Sequence, residues 1–245
     1  MKLSEISRKA LTIQRKLGRS YCAAVIVAAG SSTRMGGENK ILALLERLPV
    51  ICRTVDVFDR CAMIDEIVVV TQPELMEKIS RYLHAYEKVR LIVPGGKTRT
   101  ESVMAGVQAV SERAALIAVH DGARPLITDA IICAAVAKAQ RFGAAAPAVR
   151  VKDTIKVSST GAIEQTPDRS TLFAVQTPQV FDRDLLAAAL QNAQQKHLAL
   201  TDDCSAVEAL GFPVQLTDGD EENLKLTTPL DFELAALILK RRENA

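Results

Sequence analysis

Residues 22–35, CAAVIVAAGSSTRM, place an apolar run directly before a loop of small and hydroxyl-bearing residues. The unbroken apolar run from Cys22 to Val27 predicts a buried strand. Small residues after a strand let backbone N–H groups approach an anion closely, and Arg34 and Lys40 add positive charge nearby. The loop matches neither the Walker A pattern nor G-x-G-x-x-G. By itself it is compatible with an anion-binding loop or with an ordinary strand-to-helix turn.

Downstream of this loop, apolar strands alternate with helical patterns. Further strands are predicted over 66–71, 89–93, 116–119 and 144–149, with others over 213–216 and 224–226. Helices are predicted over 73–86, 99–112, 129–142, 182–195, 201–210 and 229–242. Strands that are apolar throughout and separated by helices favour a mostly parallel sheet covered on both faces. We therefore expect an α/β fold, a single Rossmann-like domain with a central sheet flanked by helices, which binds its ligands at the carboxyl ends of the strands.

One segment, at about residues 150–177, interrupts this alternation. Val151, Ile155 and Val157 alternate with polar residues, and residues 158–161, SSTG, have the composition of a turn. Together these features predict a hairpin. A lone hairpin with so few apolar residues is not stable by itself. It must fold onto its own domain or cross to a second subunit, so we expect a protruding β-arm.

The first twenty residues differ from the rest of the chain in charge. They carry six basic side chains and one glutamate, whereas the whole chain has a net charge of only +2. Apolar residues recur there at helical spacing, at Leu3, Ile6, Ala10, Ile13 and Leu17. Contact with a membrane surface, a targeting peptide and a solvated extension all fit this pattern. We expect residues 1–20 to form a basic extension and residues 21–245 to form the folded domain.

The overall composition excludes several classes of protein. Hydrophobic residues make up 48% of the chain and charged residues 24%, values that exclude wholesale disorder. The absence of tryptophan and the confinement of excess positive charge to the extension argue against nucleic-acid binding by the domain. No apolar stretch approaches the roughly 18 residues of a membrane span. The five cysteines are scattered, without a C-x-x-C pair, which predicts reduced thiols and a cytoplasmic protein.

Polar clusters follow the ends of the predicted strands and recur along the chain from residue 95 onward. They are GGKTR (95–99), HDGARP (120–125), DT (153–154), QTPQ (176–179), TDD (201–203) and NLKLT (223–227). The pattern A-A-G-x-x-x-R-M, with Lys40 beyond it, resembles the nucleotidyltransferase superfamily. With G-G-x-x-R-x-x-S-V, H-D-x-A-R-P and T-P-Q-x-F added, the chain closely resembles the 2-C-methyl-D-erythritol 4-phosphate cytidylyltransferases of the non-mevalonate isoprenoid pathway. The resemblance runs from about Ala23 to Leu239.

This resemblance implies transfer of CMP from CTP to 2-C-methyl-D-erythritol 4-phosphate, which gives 4-diphosphocytidyl-2-C-methyl-D-erythritol and pyrophosphate. It implies contacts with CTP from Ala28, Ala29, Gly30, Gly96 and Ser102, and catalytic cations at Arg34, Lys40 and Lys225. It assigns Mg²⁺, or another divalent cation, to Asp121, and the polyol phosphate to Arg124, Thr154, Arg169 and Thr177. Because Thr154 and Arg169 lie on the arm, we expect a homodimer in which the two arms cross and the active sites are shared.

Two other functions stay open at this point. Ribitol 5-phosphate cytidylyltransferase has the same fold and uses CTP and magnesium, and the sequence discriminates the two polyols only weakly. A non-catalytic regulator that binds a nucleotide would also keep the fold. The joint presence of Arg34, Lys40, Asp121 and Lys225 argues against the regulator, because binding alone does not require all four side chains.

Overall fold

The structure is a computed structural model that describes residues 19–30 and 39–244. In chain order its strands are β1 (Cys22–Ala28), β2 (Leu44–Leu45), β3 (Leu48–Pro49), β4 (Glu66–Thr71), β5 (Val89–Pro94), β6 (Leu116–Asp121), β7 (Ala144–Arg150), β8 (Phe173–Val175), β9 (Gln179–Asp182) and β10 (Gln215–Asp218). Within the described residues, β2 and β3 form a two-stranded ladder and the other eight strands form one sheet.

The large sheet has the order β10-β7-β9-β6-β1-β4-β5, and β8 pairs with β7. Parallel pairs join β1 to β4 and β6, β4 to β5, and β7 to β10. The short strands β8 and β9 run the other way, each antiparallel to β7. The predicted mostly parallel sheet is therefore confirmed.

Helices cover both faces of this sheet. They are α1 (Val50–Arg60), α2 (Met76–Leu83), α3 (Arg99–Ala109), α4 (Asp129–Phe142), α5 (Arg183–Gln195), α6 (Asp203–Glu208) and α7 (Pro229–Glu243). Ala24 and Ile26 of the central strand pack into the core beneath α1, α2 and α4. Ala23 and Val25 pack into the core beneath α3, α5 and α6. Because successive side chains of a strand face opposite sides, an apolar strand such as β1 needs both layers.

Capping residues fix the ends of several helices. The Thr98 hydroxyl accepts the Glu101 N–H at the start of α3, and Asp182 caps α5. Gly143 ends α4 in the left-handed region, at φ 89°, where a residue with a Cβ would be strained. These local interactions explain why the predicted starts and ends of the long helices lie close to the observed ones.

The structure differs from the predictions at several elements. Helix α1 and the two-stranded ladder of β2 and β3 were not predicted. Residues 224–226 do not form a strand, because Leu226 donates one backbone hydrogen bond to Ala123 and packs its side chain against α7. The helix predicted over 201–210 is shortened to α6, which Asp202 caps by accepting the Ser205 N–H. Strand β9, inserted between β6 and β7, was not predicted, because at four residues it is too short to show a period.

The arm, residues 151–172, is largely exposed to solvent. Its predicted hairpin is reduced to a single bridge between Val157 and Gln165, whereas its root is fixed where β8 pairs with β7. Apolar side chains on the arm and its root are 38% to 66% exposed: Ile155, Val157, Ile163, Phe173 and Val175. The described residues of the domain therefore leave the few apolar side chains of the arm uncovered.

The basic extension falls almost wholly on residues 1–18, which lie outside the described residues. Among the helices that the structure describes, none is both long enough and apolar enough to cross a membrane.

Candidate active site

A cleft of about 330 Å³ opens at the carboxyl ends of β1, β4 and β6. This is the edge at which a parallel sheet exposes its strand ends to ligands. Eight residues predicted for the site line the cleft: Ala28, Ala29, Gly30, Lys40, Gly96, Ser102, Asp121 and Lys225. Arg34 lies outside the described residues. The cleft therefore brings together residues from four loops that are far apart in the sequence.

Asp121, at the end of β6, is the electrostatic centre of the cleft. The Lys225 Nζ lies 2.8 Å from its carboxylate, the Arg124 Nε 3.5 Å and the Arg99 Nε 3.8 Å. Burial alone would raise the pKa of the Asp121 carboxyl, but these three cations outweigh burial and lower it to about 2. Asp121 is therefore ionised at any pH at which the protein works.

A buried polar network, which the sequence analysis did not assign, fixes the position of Arg99. The Arg99 Nη2 donates to Asp203 over 2.8 Å, and the Asp203 carboxylate is almost fully buried. Gln179 holds the Asp203 segment, because its side-chain carbonyl accepts the N–H groups of Asp203 and Cys204. Arg99, Asp203 and Gln179 all stand in the polar clusters at strand ends, but only the fold shows that they meet.

Thr177 and His120 form a second network beneath the cleft. The Thr177 hydroxyl accepts the Asp121 backbone N–H over 3.1 Å and bonds the His120 Nδ1 over 3.0 Å. The other ring nitrogen, Nε2, lies 3.2 Å from the Arg124 carbonyl, to which it can only donate. Burial lowers the pKa of His120 to about 4, so the ring is neutral and Thr177 donates to it. His120 is thus a buried, hydrogen-bonded core imidazole that helps to hold Asp121.

The loop at residues 95–98 is held against the loop after β1. The Ser102 hydroxyl accepts the Gly96 N–H over 3.1 Å and donates to the Thr98 carbonyl over 2.9 Å. A Cβ at Gly95 would lie 2.5 Å from the Ala29 Cβ, so no side chain fits at this position. The two backbones therefore lie in contact, and Gly96 and Ser102 line the slot of the cleft beside this contact.

We expect Gly95→Ala to lower the free energy of unfolding by about 1–3 kcal/mol, because its methyl group overpacks the contact with Ala29. Gly30→Ala is the matched control, since a Cβ at Gly30 has nothing within 4 Å. Urea unfolding of both variants measures the difference. Equal stabilities would show that the two loops separate at little cost.

The remaining predicted residues do not line the cleft. Arg124 and Thr177 lie beneath it, with Arg124 donating from Nη1 to the Asn223 carbonyl over 2.7 Å. Thr154 and Arg169 are exposed on the arm, where the Arg169 Nη1 donates to the Lys152 carbonyl over 2.6 Å. The observed bonds of Thr177 support a positioning role, and its predicted contact with substrate stays a prediction.

The arrangement suits a polyphosphate ligand. Lys40, Arg99 and Lys225 line the cleft together with Gly30 and Gly96. Such cations and backbone donors stabilise the charge of phosphate groups. The donor set also fits Mg²⁺, which proteins commonly hold through one or two carboxylates together with the phosphates of the substrate. Asp121 supplies one such carboxylate inside the cleft.

Comparison with known proteins agrees with this geometry. A profile of the 2-C-methyl-D-erythritol 4-phosphate cytidylyltransferase family matches residues 22–241. A protein of that name from Desulforamulus reducens is 44% identical over 224 residues, which cover 89% of this chain and 96% of the relative. Another of that name, from Symbiobacterium thermophilum, is 45% identical over 218 residues, covering 88% of this chain and 92% of the relative.

Solved structures of similar proteins share the fold. The 4-diphosphocytidyl-2C-methyl-D-erythritol synthase from Anaerococcus prevotii superposes with a TM-score of 0.83 at 27% identity, covering 94% of this chain and 99% of that one. The 2-C-methyl-D-erythritol 4-phosphate cytidylyltransferase from Thermus thermophilus superposes with a TM-score of 0.73 at 30% identity, covering 88% of this chain and 98% of that one. Both similarities span nearly the whole domain.

Proposed function

Because the chain belongs to the 2-C-methyl-D-erythritol 4-phosphate cytidylyltransferase family, we propose that its cleft binds CTP and transfers CMP to that polyol phosphate. The observation that carries the proposal is Asp121, held 2.8 Å from Lys225 and lining the same cleft as Lys40 and the loops at Gly30 and Gly96. Cations, one hard carboxylate and two backbone loops are the groups that nucleotidyl transfer requires.

In this reaction an oxygen of the polyol phosphate attacks the α-phosphorus of CTP. A new P–O bond forms, the bond from the α-phosphorus to the bridging oxygen breaks, and pyrophosphate leaves. Negative charge builds up on the α-phosphate oxygens and on the leaving group, and Lys40 and Lys225 stabilise it, together with Arg34. The attacking phosphate is already an anion, so no side chain has to act as a general base.

The nucleotide is bound between the loop after β1 and the loop at residues 95–102. Ala28, Ala29 and Gly30 contribute backbone contacts, and the slot beside Gly96 takes the cytosine ring, with Ser102 near the ribose. The lining of the cleft supports this assignment, since both loops contribute residues to it. Backbone N–H and C=O groups in these loops can form hydrogen bonds with the edge of the base.

Asp121 is the residue that would hold Mg²⁺, or another divalent cation. When bound, the ion neutralises phosphate charge and thereby supplements the cations of the protein. Lys225, Arg99 and Arg124 then keep the carboxylate ionised and oriented, as the low pKa of Asp121 supports.

The active unit is a homodimer in which each arm reaches the partner's cleft. The exposed apolar side chains of the arm support this assembly, since they would be buried against a second copy. Thr154 and Arg169, which do not line the cleft of their own subunit, would contribute to the polyol phosphate site of the other, where Arg124 and Thr177 complete the pocket.

The enzyme works in the cytoplasm. Its five cysteines are all free thiols in the structure, and four of them are buried, which supports a reducing compartment. Residues 21–245 form the catalytic domain with the dimerisation arm at about 150–177, and residues 1–20 are an extension to it.

The direct test of the reaction is pyrophosphate release with each polyol phosphate. We expect turnover with CTP and 2-C-methyl-D-erythritol 4-phosphate, and a kcat/KM at least about 10-fold lower with ribitol 5-phosphate. Faster release with ribitol 5-phosphate would assign the chain to the other polyol. No release with either substrate would favour the non-catalytic regulator.

We also expect a preference for CTP over UTP of at least about 10²-fold in kcat/KM. Cytosine carries an amino donor where uracil carries a carbonyl, so a site that accepts the donor leaves a buried acceptor unmet when UTP enters. Steady-state rates with the two nucleotides, at a fixed polyol phosphate concentration, measure the ratio. Equal rates would show that the slot beside Gly96 does not read the base.

A further inference from the structure

Two cysteines and an aspartate meet on the surface between α1 and α4, away from the cleft. Cys61 follows the last residue of α1, and Asp129 and Cys133 are one turn apart at the start of α4. Their ligand atoms all lie within 4.8 Å of one another, and among the residues that the structure describes this is the single group of three such side chains so placed. The cytidylyl transfer described above uses none of them.

The distances within this cluster match those of a tetrahedral metal site. The Cys61 and Cys133 sulfurs are 3.8 Å apart, and the Cys133 sulfur lies 3.5 Å from the Asp129 carboxylate. Two thiolates bound to one tetrahedral Zn²⁺ at about 2.3 Å each lie about 3.8 Å apart, and a thiolate and a carboxylate oxygen about 3.6 Å apart. Two of the three distances between ligand atoms thus match those around one ion, and the atoms of the third pair, Cys61 and Asp129, lie within 4.8 Å of each other.

The environment of the cluster leaves one coordination position accessible. Cys61 is buried, Cys133 is partly buried and Asp129 is exposed, so the ion would have protein on one side and solvent on the other. A water molecule can occupy the fourth position from the solvent side. The Asp129 carboxyl lies close to both thiols, so the three ligand atoms are near one another before any ion binds.

We propose that Cys61, Asp129 and Cys133 form a binding site for Zn²⁺ or a similar thiophilic divalent cation. Binding replaces the two thiol protons with two bonds from sulfur to the metal, and the two protons pass to solvent. The carboxylate supplies the third bond. The bound ion joins the end of α1 to the first turn of α4, two helices that pack on the same face of the sheet.

Co²⁺ binding to the metal-free, reduced full-length chain tests this proposal. We expect one equivalent of Co²⁺ to give thiolate-to-cobalt charge-transfer absorption in the near ultraviolet, and Zn²⁺ to remove that absorption by displacement. Cys61→Ser and Cys133→Ser should each weaken binding by at least about 10-fold, and Asp129→Asn should weaken it less. Cys52→Ser is the matched control, because Cys52 lies on α1 but outside the cluster.

Thermal unfolding supplies a second readout. Zn²⁺ should raise the Tm of the wild-type chain and of Cys52→Ser, and should leave the Tm of Cys133→Ser unchanged. Because Cys133 is only partly buried, its replacement by serine is compatible with folding, and circular dichroism checks this. The absence of thiolate bands, or bands that persist in the Cys61→Ser/Cys133→Ser chain, would overturn the proposal. Metal binding without thiolate bands would place the ion at carboxylates such as Asp121 instead.

Discussion

Asp121→Asn is expected to lower kcat/KM by at least about 10²-fold while the chain still folds. The substitution keeps the size of the side chain but removes the charge that lies within 4.0 Å of Lys225, Arg99 and Arg124. Without this negative charge, the three cations repel one another and Lys225 loses its ion pair. No carboxylate remains at this position to bind a divalent cation. Steady-state pyrophosphate release measures the loss, and circular dichroism measures folding.

Asp56→Asn is the matched control for this variant. Asp56 pairs with Arg60 on the surface of α1, outside the cleft, so its replacement should leave kcat/KM within a factor of about 2. Binding of Mn²⁺ in the presence of CTP, followed by electron paramagnetic resonance, separates the two roles of Asp121. Weakened Mn²⁺ binding would support a role of Asp121 as a metal ligand. Unchanged binding would mean that Asp121 acts only by positioning Lys225, Arg99 and Arg124. Near-normal activity in Asp121→Asn would exclude both roles.

The same variant has an expected signature in acid. Since the pKa of Asp121 is lowered to about 2 in the folded chain, its ionised form stabilises the fold at all pH values above the unfolded pKa of about 4. That contribution is lost as the pH falls from about 4 toward 2. The difference in unfolding free energy between wild type and Asp121→Asn should therefore be constant from neutral pH to about 5 and shrink below about 4.

Mixing two inactive variants is expected to restore activity if the arms cross between subunits. Arg169→Ala removes a cation from the arm, and Lys40→Ala removes one from the cleft, so each homodimer should lose at least about 10²-fold in kcat/KM. In a heterodimer, one site collects both defects and the other collects neither. We therefore expect about half of the activity of one wild-type dimer to return.

The control for this experiment uses two defects in the same cleft. A heterodimer of Lys40→Ala and Lys225→Ala has one damaged residue in each cleft, since both side chains line the cleft of their own subunit, and it should stay inactive. Differential tags on the two subunits allow the heterodimers to be purified before assay. If purified Arg169→Ala/Lys40→Ala heterodimers also stay inactive, each arm contributes to the active site of its own subunit, and the proposal of a shared active site is wrong.

Local patterns in the chain were sufficient for the long strands of the sheet and for most of the long helices. The strand at 22–28 and the helix that begins at Asp129 and ends before Gly143 both follow from neighbouring residues. Apolar runs and capping residues report on burial and on backbone hydrogen bonds within about one helical turn, so they are visible without the fold. The carboxyl-end loops then identify the edge of the sheet that carries the cleft.

Contacts between distant residues were decided only by the tertiary structure. Arg99 and Asp203 are separated by 104 positions, and Thr177 and His120 by 57. Each pair meets because the short strand β9 enters antiparallel beside β6, with Gln179 opposite Val119. The sequence marks these side chains as polar residues in loops, but which of them meet depends on the pairing and register of strands far apart in the chain. No local period encodes that register, because it is selected by burial of the whole sheet against its two layers of helices.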